Sequence, residues 1–322
     1  MSLEERYLRT LNRLIAGAPS CACSQVVAAM ARPGRLALCT QLLFERLERK
    51  LSALMEIYRH ADENWNQTLF VMFFRTLGDA SNREAFIELA QRVRYNPLLH
   101  ERASLLAAES LLLGASGLLS LYPADEYTRS LASEFAHLSH KYSIEPMQAE
   151  AWNLRRINPM NHPVLRLAQA ARFFTDNEFV FDECMSCRTC DDACRLFGSE
   201  ASEYWMTHFT PGREGDGVAK RIGRSKAALL AINLVAPLQF AYGTLTEKES
   251  LRERAVELLE STPAEDNRYM RMWEAGGAVA ANAFDSQALL QLSTEYCSCG
   301  RCESCPVGRT VLGRVEAEWR GE

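Results

Sequence analysis

Apolar positions recur at steps of three and four along most of this chain, and that period predicts helices. Leu43, Leu47, Leu51, Leu54 and Tyr58 share one face, with Glu45, Arg46, Glu48, Arg49 and Lys50 between them, so a helix is expected over roughly 36–60. The LFVMFF run inside Trp65–Leu77 predicts a buried helix, although a continuous apolar run also suits a strand. Ser81 followed by Glu84 reads as a capping box opening a helix to about Val93. The Ala/Leu-rich stretch 101–120 contains Gly114 and Gly117, which cost helix propensity but let another helix come close. Further helices are expected over 126–142, 163–174, 224–242 and 247–260. Thr262-Pro263-Ala264-Glu265 reads as a helix start, Gly276-Gly277 as its stop, and a last helix runs from Asp285 to about Tyr296. Alternating Val/Ile/Thr runs are almost absent, so little or no sheet is expected.

The fold class is therefore all-α, a multi-helix orthogonal bundle with cysteine-rich metal-binding loops. Residues 1–34, with Pro19, Pro33 and Gly34, read as an N-terminal lead-in. Residues 35–322 read as a single large helical domain with cysteine boxes at 184–194 and 297–305, and Thr210–Gly217 as an internal loop.

Composition narrows the function. An apolar share of 48% is enough to build a core, and 36 basic against 41 acidic residues, a net charge of −5, excludes broad nonspecific nucleic-acid binding. The start, MSLEERYLRT, is not a signal segment. The longest apolar stretch, Ala227–Tyr242, is broken by Asn233, Pro237 and Gln239; it reads as a buried helix kinked near Pro237, too short and polar to span a bilayer. A cytoplasmic protein without membrane contact is expected.

Eight of the eleven cysteines fall in two boxes. Cys184, Cys187, Cys190 and Cys194 have the spacing C-x2-C-x2-C-x3-C of bacterial iron–sulfur ferredoxins, with Arg195 where a Pro usually follows. Cys297, Cys299, Cys302 and Cys305 form the second, with Gly300 and Pro306 for tight turns. Thiolates at such spacing point to an iron–sulfur cluster (4Fe-4S) or zinc, and a structural site is favoured because all-cysteine sets are closed. Ligand demand suggests that the boxes meet in space, the fourth cysteine of the first serving the second. Cys21, Cys23 and Cys39 read as ordinary thiols, with Cys21-x-Cys23 able to assist a site.

Other polar groups carry less. His137 and His140, three apart on a helix, read as a solvated or packed face, and His162 and His208 are weaker ligand candidates beside the first box. Arg155, Arg156, Arg166, Arg172, Lys220, Arg221, Arg224 and Lys226 form the densest basic set. It reads either as helix faces paired with carboxylates or as a local phosphate-binding patch that a nucleic acid would use. Asp182, Glu183, Asp191 and Asp192 oppose nucleic acid near the first box. No phosphate-binding loop, nucleophile elbow or zinc-protease motif occurs, so no enzyme activity is expected.

Several stretches in order resemble an uncharacterised bacterial family, domain of unknown function 2851: Leu47–Lys50, Ala108–Gly114, Arg155–Gln169, Ser202–Trp205 with His208, Ala241–Gly243, Ser286–Leu289 leading into Tyr296-Cys297, and Cys302–Gly308. The resemblance spans about residues 35–312. It implies a role for Cys297, Cys302 and Cys305. It also implies an upstream region with nuclease-like acidic and His-containing strands, which this chain begins too late to include. Three functions follow as expectations. One is a non-catalytic interaction or nucleic-acid accessory module held by metal, working with a protein partner. The second is an iron–sulfur electron carrier, and the third a remnant or subunit of a nuclease-like enzyme.

Overall fold

Helix follows helix from Leu3 to Arg320 in the computed structural model, which describes residues 2–16, 21–215 and 217–320, with only the backbone of residues 21–22, 315–316 and 318–320. Among the described residues the strands are the short antiparallel pair His208–Thr210 and Arg213–Glu214. The all-α expectation therefore holds.

The chain forms two compact units, residues 53–258 and a discontinuous one of residues 1–52 with 259–322. This differs from a lead-in followed by one domain. Residues 3–16 and 21–28 are helical, and both pack against the C-terminal helix Pro306–Arg320, the second also against Arg268–Ala275. Part of the supposed lead-in, residues 17–20, lies outside the described residues.

Unit 53–258 is built on aromatic packing. Trp65–Leu77 supplies Phe70, Phe73 and Phe74, and Pro163–Asp176 supplies Phe173 and Phe174. Phe73 stacks on Phe173 with ring centroids 5.0 Å apart, and Phe70 meets Phe174 at 5.1 Å. Rings of this size dominate core energetics, each pair adding about 0.5–1.5 kcal/mol beyond its buried area. The LFVMFF ambiguity resolves to helix, started by the Asn64 side chain, which accepts from Gln67 N at 3.0 Å. Helix Leu105–Ala115 packs against Glu126–Tyr142, and Gly114 is the reason it can: a Cβ there would sit 2.1 Å from Phe135 Cγ.

Two expected caps do not form, and the Ser81 hydroxyl donates to Asp79 Oδ1 at 2.7 Å instead. The helix after Ser81 begins at Arg83, and its flanking Asn82 makes no cap bond. Asn82 instead donates to Asn153 O at 2.9 Å and accepts from Asn153 N at 2.8 Å. Thr262 does not open a helix either; its carbonyl accepts from Ala283 N at 2.8 Å. The next helix, Arg268–Ala275, is capped by Asn267, which accepts from Tyr269 N and Met270 N.

Proline shapes the long apolar helix as expected. Arg224–Leu230 and Ala236–Leu245 are joined by a π-helical turn, Ala231–Val235, placed just before Pro237. Proline has no N–H to donate and its ring crowds the carbonyl four residues back, so the helix widens there. Residues 224–245 are long and apolar enough to cross a membrane, yet 67% of the apolar window is buried within the protein. This is a core helix.

In unit 1–52/259–322, the helix Arg32–His60 buries Leu38, Leu42, Leu43 and Leu47. Trp273 Nε1 donates to Ser293 Oγ at 2.7 Å, tying Arg268–Ala275 to the end of Ala283–Gln291, whose last turn widens into a second π segment, Leu292–Cys297.

A buried carboxylate anchors the other unit. Glu109, 1% exposed, accepts from Tyr127 Oη at 2.5 Å and Ser202 Oγ at 2.8 Å, and Trp205 Nε1 donates to Tyr127 Oη at 3.2 Å. Burial raises the Glu109 carboxyl above its ordinary value, against those hydrogen bonds. The folded state thus keeps this proton to higher pH than the unfolded chain, so its contribution is full in acid and declines as pH rises from about 4.5 through the folded value. Glu109→Ala, which strands two buried hydroxyls, is expected to cost about 2–4 kcal/mol. Glu109→Gln is expected to remove the pH-dependent decline, read as the difference in urea midpoints between it and wild type from pH 4 to 8. Parallel pH profiles would refute the assignment.

Candidate metal centre

The first box sits on two short helices and the turn between them. Cys184 lies in Val180–Ser186 and Cys187 follows its end, one turn on. Thr189 then caps Cys190–Leu196: its hydroxyl accepts from Asp192 N at 3.2 Å, and Asp192 Oδ2 accepts from Arg188 N and Thr189 N at 3.0 and 2.9 Å. The helical period then puts Cys190 and Cys194 on one face, sulfurs 4.0 Å apart. The box is thus two pairs, Cys184 with Cys187 and Cys190 with Cys194.

Gln239 holds the first pair. From a fully buried position its Nε2 donates to Cys184 O at 2.8 Å and Cys187 O at 2.7 Å. Sequence reasoning saw Gln239 only as a break in an apolar run. Burial pushes the Cys184 thiol well up and Cys187 to about 12, with Asp192 and Glu183 adding to the latter. Cys190 is pushed to about 11 by burial and then by Cys194. The flanking acids are engaged: Asp192 in the cap, and Asp191 with Arg224 at 2.8 Å.

The second box follows the π segment Leu292–Cys297. Cys305 is the residue before the helix Pro306–Arg320, and its carbonyl accepts from Arg309 N at 2.8 Å. The backbone N–H groups of Val307 and Gly308 donate to its sulfur, which favours the thiolate, while burial opposes it. Gly308 is required here, because a Cβ would meet Cys302 O at 2.1 Å. Cys302 and Cys305 are buried and Cys297 half-buried. Cys299 is exposed, its sulfur directed at Thr294 O, 3.5 Å away.

One thiol from outside the boxes joins this group. Cys23, on Cys21–Ala28, packs with Tyr7, Leu11 and Val311 against the cluster of Leu14, Cys302 and Leu312. It is pushed to about 11 by burial, then by Cys305 and Cys302. Cys297 is pushed to about 12 by burial, then by Cys23, Cys305 and Cys302. The side chain of Cys21, the other half of the C-x-C pair, lies outside those described. The described cysteines are thiols, not cystines. Among the described residues, no three His, Cys, Asp or Glu side chains already converge on a point that would hold a metal ion.

The histidines are otherwise occupied. His137 and His140 are exposed on their helix. His162 Nε2 meets Tyr122 Oη at 3.3 Å, and burial pushes the ring down to about 4. His208 stacks on Tyr204 at 4.0 Å, with Nδ1 2.9 Å from Tyr204 O. The basic set does not form one open face. Arg172 pairs with Asp176 at 2.8 Å, Arg221 with Glu200 and Arg224 with Asp191. Lys220 is buried and donates to Met206 O and Val218 O, Lys226 to Leu77 O, and Arg166 to Gln169 and Asn161. Arg155 and Arg156 are exposed.

A family model described as a protein of unknown function (DUF2851) matches residues 1–268. The chain belongs to this family. The DUF2851 match starts at the first residue rather than near 35, so it takes in Cys23 along with the first box. It stops before the second box, and the resemblance over Ser286–Leu289, Tyr296-Cys297 and Cys302–Gly308 therefore falls outside the matched residues. Ala108–Gly114 and Ser202–Trp205, both within the DUF2851 match, meet at the Glu109 network. No curated protein and no solved structure matches the chain.

Replacing Gln239 by Leu removes a donor from two buried carbonyls. Gln239→Leu is expected to lower stability by about 1–3 kcal/mol and to speed alkylation of Cys187 in the metal-free protein. An unchanged alkylation rate would show that Gln239 does not fix the turn.

Proposed function

We propose that this protein is a non-catalytic helical module that takes up metal through its cysteine boxes and presents the resulting rigid surface to a protein partner. The observation that carries this reading is the burial of thiols in groups, each held by polar backbone or side-chain contacts. Cys184 and Cys187 are held through Gln239, Cys190 and Cys194 share a capped helix, and Cys305 receives two backbone N–H bonds. An isolated buried cysteine is a small hydrophobe that needs no such support. A ligating thiolate does need it, since the contacts around the sulfur set its orientation and charge. The donor set is sulfur only, which fits zinc or an iron–sulfur cluster and closes the coordination sphere against substrate. The basic residues expected to bind phosphate are largely spent on carboxylates and carbonyls, which favours a protein partner over nucleic acid.

The spacing of the first box supports a second reading, a 4Fe-4S cluster that passes electrons. Purification without oxygen, followed by assays for iron, sulfide and zinc, separates the two. Colourless protein carrying zinc is expected for the structural module; brown protein with iron and sulfide favours the electron carrier. A chain that stays metal-free after anaerobic reconstitution with either metal would overturn both.

A further inference from the structure

The second box offers three thiols suited to a common centre and one that is not. Cys297, Cys302 and Cys305 turn inward, whereas Cys299 is exposed and directed at Thr294 O. A closed sulfur site takes four ligands. The missing one is supplied from the far end of the chain. Helix Cys21–Ala28 packs against Pro306–Arg320, and Leu3–Ala16 packs against that same C-terminal helix. Tyr7 Oη donates to Glu303 Oε1 at 3.1 Å, between the second and third cysteines, and Ile15 Cγ2 lies against Gly300. Cys23 is set into this packing, against the cluster formed by Leu14, Cys302 and Leu312.

We propose that Cys23, Cys297, Cys302 and Cys305 form one four-thiolate metal site, with Cys299 outside it, and that the metal staples the N-terminal helices to the C-terminal one. This deepens the metal-binding reading and rests on it. Each thiol must lose its proton to ligate: a zinc ion and four Cys–SH give a tetrathiolate of charge −2 and four protons. Burial and the neighbouring thiols oppose that charge until a cation is bound, and the groups that favour it lie around Cys305. Val307 N–H and Gly308 N–H already point at the Cys305 sulfur from the first turn of a helix, and Arg309 stands near the same sulfur. The close winding of Cys302 over Gly308 keeps the two cysteines of the C-x2-C step on one turn. The sulfurs are neighbours without converging, so binding draws the side chains onto the ion. Cys299 cannot replace Cys23 without giving up its outward position.

The test uses full-length protein purified without oxygen and loaded with zinc or reconstituted with iron and sulfide. Metal per chain is measured for wild type and for Cys23→Ser, Cys297→Ser, Cys299→Ser and Cys187→Ser. Cys23→Ser and Cys297→Ser are each expected to lose the same single site, and Cys299→Ser none. Wild-type protein is also alkylated with and without metal and read by mass spectrometry, which needs no variant to fold. Metal is expected to slow alkylation of Cys23 at least tenfold together with Cys297, Cys302 and Cys305, and to leave Cys299 reactive. Equal labelling of Cys23 in both states, or loss of the site in Cys299→Ser with retention in Cys23→Ser, would overturn the assignment. Metal that only Cys187→Ser removes would overturn it too while leaving the metal-binding reading intact. A wild-type chain that takes up no metal at all would sink that reading first.

Discussion

Taking a thiolate out of water is the constraint under which the clustered cysteines sit. Burial is the largest influence on Cys23, Cys184, Cys187, Cys190, Cys297, Cys302 and Cys305, and at each it raises the pKa. Neighbouring thiols raise it further at Cys23, Cys184, Cys190, Cys297 and Cys302, since two thiolates side by side repel. Without a cation these groups are neutral thiols packed as small apolar side chains. With one, the order inverts: the ion becomes the largest local charge, and closeness that penalised ionisation becomes what permits coordination. Metal affinity and folding are then one equilibrium, because the geometry that gathers the sulfurs is absent from the unfolded chain.

The two boxes meet this constraint differently. In the first, helical period does the gathering: Cys190 and Cys194 are four apart on one capped helix, and Cys184 and Cys187 straddle a helix end. Two acids of its flank are already engaged, Asp191 in an ion pair with Arg224 and Asp192 in bonds from backbone N–H groups. In the second, a turn does it, one in which only glycine fits at 308 and in which the following helix aims two N–H groups at sulfur. A capped helix tolerates substitution around its cysteines better than a turn with no room for a Cβ.

What was legible in the sequence was what short-range physics decides. Leu43, Leu47 and Leu54 are fully or nearly buried where the period placed them, and Pro237 disturbs its helix where a missing N–H must. The close approach at Gly114 was also readable. The misses are tertiary. Asn82, which flanks a helix start, bonds to Asn153 71 residues on, and the Thr262 carbonyl, where a helix was expected to begin, accepts from Ala283 N 21 residues on; no local pattern records either. Gln239 looked like a flaw in an apolar helix because its partners are the carbonyls of another segment. Cys23 was legible only as half of a Cys21-x-Cys23 pair able to assist a site, with nothing to say which one. Only its type hinted at a role, and the residues that give it meaning lie at the other end of the chain.

That placement is where a bound metal would have its largest effect on the fold. The unit formed by residues 1–52 and 259–322 is assembled from both chain ends, so its two halves are joined by contacts rather than by continuity. Both halves bury apolar side chains, Leu42, Leu43 and Leu47 in one and Ala283, Leu289 and Leu292 in the other. The Leu14, Cys302 and Leu312 cluster is small, and the ion pairs Arg35–Asp285 and Arg49–Glu295, at 3.6 and 3.4 Å, are partly exposed and so contribute little in water. Arg46 Nε donates to Gln287 Oε1 at 2.7 Å from a buried site, where desolvation lowers the guanidinium pKa to about 10 and offsets part of what the bond gains. Where two halves of a unit are joined through contacts alone, a metal held by thiols from both would add a crosslink that the backbone does not supply. Under the proposed ligation by Cys23, Cys297, Cys302 and Cys305, that crosslink would join the two ends of the chain.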